Sequence, residues 1–139
     1  MNWTTLLCDD RIRSYKKSSS TDLRTEFEKD YHRIIGSASF RRLQDKTQVF
    51  PLDRSDFVRT RLTHSLEVSS LAKSLGQNIS ESIRVNVKDD TFLPEHKAAV
   101  CDILQCAGLI HDIGNPPFGH FGETSIQDWF KQNLGRLTF

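Results

Sequence analysis

The segment that most constrains this chain is "CDILQCAGLIHDIGNPPFGHFGE", which covers residues 101–123. Its first ten residues are mostly apolar, a composition typical of a buried helix. The apolar stretch leads directly into His111 and Asp112, and glycines and prolines follow. A carboxylate at the end of a buried helix is costly unless a cation or hydrogen-bond donors satisfy it. The sequence therefore predicts that Asp112 lies in a site that holds it.

Apolar periodicity predicts four helices and an all-α fold class. A first helix is expected over 22–38, capped at Ser20, Thr21 or Asp22. A second is expected from near 62 to 83, with an inward face of Leu62, Leu66, Ser69, Ala72 and Leu75. Pro94 suits the first turn of a third helix that runs to about 113, after a loop "RVNVKDDTFLP". A fourth, over about 120–134, is expected to turn Ile126, Trp129, Phe130 and Leu134 inward.

Length, hydrophobicity and cysteine content indicate the size class and the expected cellular location of the protein. The 139 residues fit one domain or part of one, and no apolar run approaches the roughly 18 residues that span a bilayer. The N-terminus shows no signal-peptide pattern, and the three cysteines lack CxxC spacing, with Cys101 and Cys106 in an apolar stretch. We expect a cytoplasmic protein with reduced thiols.

Charge is distributed unevenly along the chain. Residues 1–75 carry 14 basic and 10 acidic side chains, whereas residues 76–139 carry 5 basic and 8 acidic ones. We interpret residues 1–21 as a basic N-terminal segment ahead of the domain. Such a split suits an anionic ligand held between two walls, but on charge alone a solvated surface with chance clustering is the favoured explanation.

His111 and Asp112 form a candidate metal site with His64. Adjacent helical residues point about 100° apart, which suits two ligands that approach one ion. If the second and third helices pack side by side, His64 can reach this pair. The alternative is structural: an HD dipeptide can cap a helix, and a lone histidine can be a satisfied core residue. His32 and His96 are interpreted as structural.

His120 and Glu123 are a candidate acid–base pair. They are three residues apart at the start of the fourth helix and therefore share a face. A carboxylate bonded to one ring nitrogen fixes the tautomer and raises the basicity of the other nitrogen. Alternatively, Glu123 only stabilises the helix dipole and His120 takes no part.

Three blocks, "RRLQDKTQVFPL", "VRTRLTHSLEV" and "HDIGNPPFGHFGE", closely resemble the bacterial dGTP triphosphohydrolases of the HD-domain superfamily. The resemblance implies an all-α HD-domain helical bundle, of which residues 22–139 are a part. It implies hydrolysis of dGTP, or other dNTPs, to the deoxynucleoside and inorganic triphosphate. The metal would be Mg²⁺ or Mn²⁺, with iron or cobalt as alternatives.

The same resemblance assigns roles to individual residues. It implies that His64, His111 and Asp112 bind the metal and that His120 is catalytic with Glu123 as its partner. It implies that Gln48 contacts the sugar and that Arg61 meets the phosphates. Arg59 and Lys46, close to Arg61 in sequence, can also supply positive charge to a triphosphate.

The family pattern includes a fourth metal ligand, an Asp far downstream, which is expected beyond Phe139, the last residue of this sequence. We therefore interpret the chain as the N-terminal part of a longer enzyme, inactive by itself and prone to form homo-oligomers. Two other hypotheses stay open: an HD phosphohydrolase with another nucleotide substrate, or a non-catalytic subunit that binds nucleotide or assembles with a longer chain. The basic N-terminal half permits single-stranded DNA as a partner, but no motif supports it. No membrane association is expected.

Overall fold

The computed structural model describes residues 2–13, 21–46, 59–116 and 118–137, and these residues are helical with no strand. The α-helices are α1 (Trp3–Leu6), α2 (Glu26–Gly36), α3 (Ala38–Arg41), α4 (Arg61–Ser82), α5 (Pro94–Ile110) and α6 (Gly119–Asn133). Short 3₁₀ helices follow α3 (Arg42–Asp45) and α6 (Leu134–Arg136), and a π-helical turn (Ile83–Val87) follows α4. The all-α fold class is confirmed.

Helices α4 and α5 form the main packing unit. The buried positions of α4 are all small: Ser65, Ser69, Gly76 and Ser80. Across from them, a Cβ on Gly108 of α5 would lie 2.5 Å from the Cα of Ser69. Small residues on both helices allow the two backbones to approach closely, so the start of α4 lies against the end of α5.

The apolar core lies where α5 meets the segment after α2. Phe40, Leu43 and Leu109 are buried together, and Tyr31, Ile34, Ile35, Leu62 and Ile113 pack around them. Cys101 is buried and Cys106 half-buried, as expected for small core residues, and burial raises the pKa of both thiols. The core thus ties α2, α3 and the first 3₁₀ helix to α5.

The expected first helix, over about 22–38, differs from the observed one mainly at its start. Helix α2 begins at Glu26 because the Thr25 hydroxyl accepts the Glu28 N–H and the Glu28 carboxylate accepts the Thr25 N–H. It ends at Gly36, where Ser37 caps α3 instead. Leu23, which lies inside the expected helix, precedes α2 and is 99% exposed. Of the other expected caps, Thr21 and Asp22 precede the helix, and Ser20 lies outside the described residues.

The inward faces were only partly predicted. On α4, Ser69 is buried, whereas Leu66 and Leu75 are 44% and 54% exposed because the small residues make the contact with α5. On α6, all four residues expected inward, Ile126, Trp129, Phe130 and Leu134, are 46–58% exposed. Within the described ranges α6 packs mainly on its own 3₁₀ extension, so this face has no apolar neighbour to cover it.

The segment after α4 also departs from the expectation. "RVNV", expected as a loop, continues α4 as a π-helical turn that ends at Lys88, whose φ is +54°. The starts and ends expected for α4, α5 and α6 otherwise lie within three residues of the observed ones. Pro94 occupies the first turn of α5, as predicted.

Candidate active site

Two histidines meet where α4 begins and α5 ends. His64 lies in the first turn of α4, which Thr60 caps, and His111 immediately follows α5. The centroids of their rings are 5.1 Å apart, with the ring planes at 72°. The close packing of α4 on α5 brings these residues together although 47 positions separate them in sequence. Two imidazoles at this distance can present nitrogen atoms to one shared ligand.

The His111 ring is held in one orientation. Its Nδ1 lies 2.7 Å from the Gly108 carbonyl oxygen, which can only accept a hydrogen bond. Nδ1 therefore carries the proton in this contact, and Nε2 of the neutral ring keeps a free lone pair. A backbone carbonyl that fixes the tautomer in this way is the usual support for a histidine that binds a metal.

Asp112 is buried, with 7% of its surface exposed. Its two carboxylate oxygens accept hydrogen bonds from Nη1 of Arg61 at 2.7 and 2.9 Å. Oδ1 also accepts from the Asn115 side-chain amide, three residues further on. A carboxylate has about four lone-pair positions, so these contacts use most of them. Asp112 is thus satisfied by a cation and an amide, as its burial requires.

The donor types fit a divalent ion, although the side chains do not enclose one. Two imidazole nitrogens and one carboxylate are a common set for such an ion. Among the described residues, however, no three His, Cys, Asp or Glu side chains converge closely enough to hold it. The described part of the chain therefore provides the ligand types and a paired set of histidines, with the Asp112 oxygens turned to Arg61.

His120 and Glu123 lie in the first turns of α6. Nδ1 of His120 is 3.4 Å from Oε2 of Glu123, so the carboxylate faces the ring as expected for residues on one helical face. The His120 side chain is fully exposed. No hydrogen bond or ion pair between described residues connects this pair to His64, His111 or Asp112. The turn before α6 uses left-handed backbone at Gly114, Phe118 and Gly119.

One of the predicted site residues, Gln48, which is expected to contact the sugar, lies outside the described residues. The fourth metal ligand is expected beyond Phe139, the last residue of this sequence. The sugar contact and the fourth ligand therefore stay predictions. The three ligands predicted within the chain, His64, His111 and Asp112, all lie in the described part.

The two basic residues expected to accompany Arg61 differ in their surroundings. Arg59 points to Glu67 on the surface of α4, 3.3 Å away, rather than toward Arg61. Lys46 lines a cavity of about 300 Å³ together with Arg61 and Asp112. Lys46 therefore shares this cavity with Arg61, and Arg59 is not among the described residues that line it.

Two residues of this region were not identified from the sequence. Asn115 bonds Asp112, and its spacing of three residues within a turn was a usable signal. Arg42 lines the same cavity as Lys46. No local pattern distinguishes it from its neighbour Arg41.

Comparison with known proteins matches residues 61–135, slightly more than half of the chain, to the HD domain family. The chain therefore belongs to the HD-domain family. It is 56% identical over its whole length to a deoxyguanosinetriphosphate triphosphohydrolase-like protein of Listeria monocytogenes. It is 48% identical, over 89% of its length, to a deoxyguanosinetriphosphate triphosphohydrolase of Enterobacter sp. strain 638. The chain covers 30% of the Listeria protein and 25% of the Enterobacter one.

None of the helices in the described ranges combines the length and apolarity that crossing a bilayer requires.

Proposed function

We propose that the protein containing this chain hydrolyses deoxynucleoside triphosphates, dGTP foremost, to the deoxynucleoside and inorganic triphosphate. The observation that carries the proposal is the pairing of His64 with His111 beside the buried Asp112 at the junction of α4 and α5. The triphosphohydrolase names of the relatives, which align with the whole chain or nearly all of it, support the substrate class.

His64, His111 and Asp112 would hold a divalent ion, Mg²⁺ or Mn²⁺, with a further Asp from beyond Phe139. Such an ion supplies Lewis-acid stabilisation of phosphate charge and increases the acidity of water. The Gly108 carbonyl supports this role, because it leaves Nε2 of His111 free to bind. Because Arg61 bonds both oxygens of Asp112, its guanidinium must move before the carboxylate can serve the ion.

His120 would be the general acid. Water forms a bond to the α-phosphorus and releases a proton to solvent, the bond from that phosphorus to the 5′-oxygen breaks, and this oxygen takes a proton from His120 as it leaves. With Nδ1 of His120 facing Glu123, the proton would come from Nε2. The full exposure of His120 supports this role, because its ring is accessible to a substrate. Gln48 would contact the sugar, and Arg61 would meet the phosphates after it leaves Asp112.

The test is product analysis with the intact protein that contains this chain. With Mn²⁺ and dGTP, we expect deoxyguanosine and tripolyphosphate in equal amounts, separated by ion-exchange chromatography. Release of single phosphates, or turnover of dGMP instead, would favour an HD phosphohydrolase of another specificity. Gln48→Ala should lower the preference for dGTP over GTP, because an amide can bond the sugar edge and a methyl group cannot.

A further inference from the structure

A cavity of about 300 Å³ lies beside the Arg61–Asp112 pair. Its walls come from α3, the following 3₁₀ helix and the turn after α5, and they include Arg42, Lys46 and Asn115. His64, His111 and His120 do not line it. The cavity therefore lies beside the three histidines and shares Arg61 and Asp112 with the proposed site.

The walls carry an excess of positive charge. Among the described residues that line it, Arg42, Lys46 and Arg61 give three positive charges and Asp112 gives one negative charge, which leaves two positive charges in excess. Asp112 is already bonded to Arg61 and Asn115. Within the described ranges no acidic side chain pairs with Arg42 or Lys46. A concave surface with a net positive charge focuses the electrostatic potential and attracts an anion.

The backbone that carries Arg42 and Lys46 is anchored on both sides. Phe40 and Leu43, which flank Arg41 and Arg42 in sequence, are 4% and 3% exposed in the core. The Lys46 carbonyl accepts the Arg61 N–H at 2.9 Å, which ties the end of the 3₁₀ helix to the start of α4. Because the backbone is held, Arg42 and Lys46 need to order only their own side chains to bind an anion.

We propose that this cavity binds an oligophosphate, with Arg42 and Lys46 as its binding residues. Apart from the satisfied Asp112, the charged groups on its walls are hydrogen-bond donors, which suit phosphate oxygens. Its volume is at the small end of ligand cavities, so it suits a phosphate chain rather than a whole nucleotide. If the protein acts as proposed above, this phosphate chain consists of the distal phosphates of the substrate.

The experiment measures tripolyphosphate binding to the intact protein by calorimetry. Arg42→Gln and Lys46→Gln should each weaken binding about tenfold, the scale of one charge-assisted hydrogen bond. Arg42→Lys should recover part of the loss. Arg41→Gln is the matched control, because Arg41 is exposed on the same segment but does not line the cavity. It should bind tripolyphosphate within about twofold of wild type, since no phosphate contact is lost. Far-UV circular dichroism checks that each variant is folded.

The source of the phosphate chain follows from competition. If tripolyphosphate competes with dGTP, and if Arg42→Gln raises the KM for dGTP without changing kcat, the cavity binds the distal phosphates of the substrate. If tripolyphosphate binds at the same time as dGTP, the cavity binds a separate anion instead. Wild-type affinity in both Gln variants, or an equal loss in Arg41→Gln, overturns the proposal. If dGTP is not hydrolysed but tripolyphosphate binding still depends on Arg42 and Lys46, the proposed function fails and the oligophosphate site stands.

Discussion

Arg61, the first residue of α4, donates from one guanidinium nitrogen to both carboxylate oxygens of Asp112, which follows α5. This contact joins the two ends of the α4–α5 unit at the point where His64 meets His111. The Arg61 side chain is 28% exposed and that of Asp112 is 7% exposed, so water screens the pair only partly.

Removal of Arg61 should destabilise the fold. In Arg61→Ala, the buried Asp112 keeps only the amide of Asn115, so we expect a loss of about 2 kcal/mol in urea unfolding. Arg59→Ala is the control, since the pair of Arg59 with Glu67 is exposed on both sides. It should stay within about 0.5 kcal/mol of wild type. Equal stabilities for the two variants would show that the Arg61–Asp112 contact contributes little.

His111→Ala should remove bound metal from the intact protein. We expect Mn²⁺ content, measured by mass spectrometry after dialysis, to fall by at least about tenfold, because one of two paired imidazoles is lost. His32→Ala provides a matched comparison: Nδ1 of His32 also contacts a backbone carbonyl one turn earlier, at 2.8 Å, but on the surface of α2. Its metal content should be unchanged. Full metal content in His111→Ala would contradict the assignment.

His120→Ala should slow the chemical step of the intact protein by roughly 10²- to 10⁴-fold, the usual scale for lost acid–base catalysis. It should leave the metal content unchanged. Glu123→Gln should also lower kcat, because an amide holds the Nδ1 proton less strongly than a carboxylate does. Gln127→Ala is the control that tests whether the effect is specific to the His120–Glu123 contact. Gln127 bonds the other oxygen of Glu123, at 3.3 Å, and does not touch the His120 ring. A single-turnover rate for His120→Ala within a few-fold of wild type would remove it from the mechanism.

Gly108→Ala should force α4 and α5 apart. The added Cβ would lie 2.5 Å from Cα and 2.8 Å from the backbone nitrogen of Ser69, and neither atom can move without the helix. We expect a loss of about 3 kcal/mol or more in urea unfolding, at the upper end of overpacking effects. Gly36→Ala, where nothing lies within 4 Å of the added Cβ, should be neutral or stabilise by about 0.5 kcal/mol. A Gly108→Ala protein as stable as wild type would mean that the helices separate at little cost.

The sequence by itself determined the helical class and the positions of α4, α5 and α6, because apolar spacing and Pro94 are local signals. It also identified His64, His111 and Asp112 as candidates, since ionisable residues next to a buried helix need partners. The start of α2 was missed because Thr25 and Glu28 form a capping box, whereas Ser20, Thr21 and Asp22 suit a cap equally well in sequence.

Only the tertiary structure decided which groups meet. Arg61 and Asp112 are 51 residues apart, and nothing local indicates that the arginine expected to meet phosphates bonds a carboxylate instead. Periodicity showed that Ile126, Trp129 and Phe130 share a side of α6, but burial also depends on what packs there. Arg42 lines the cavity and Arg41 does not, and the sequence could not show this difference. Several elements form a cavity together, so one segment of sequence cannot show which of two neighbouring cations faces it.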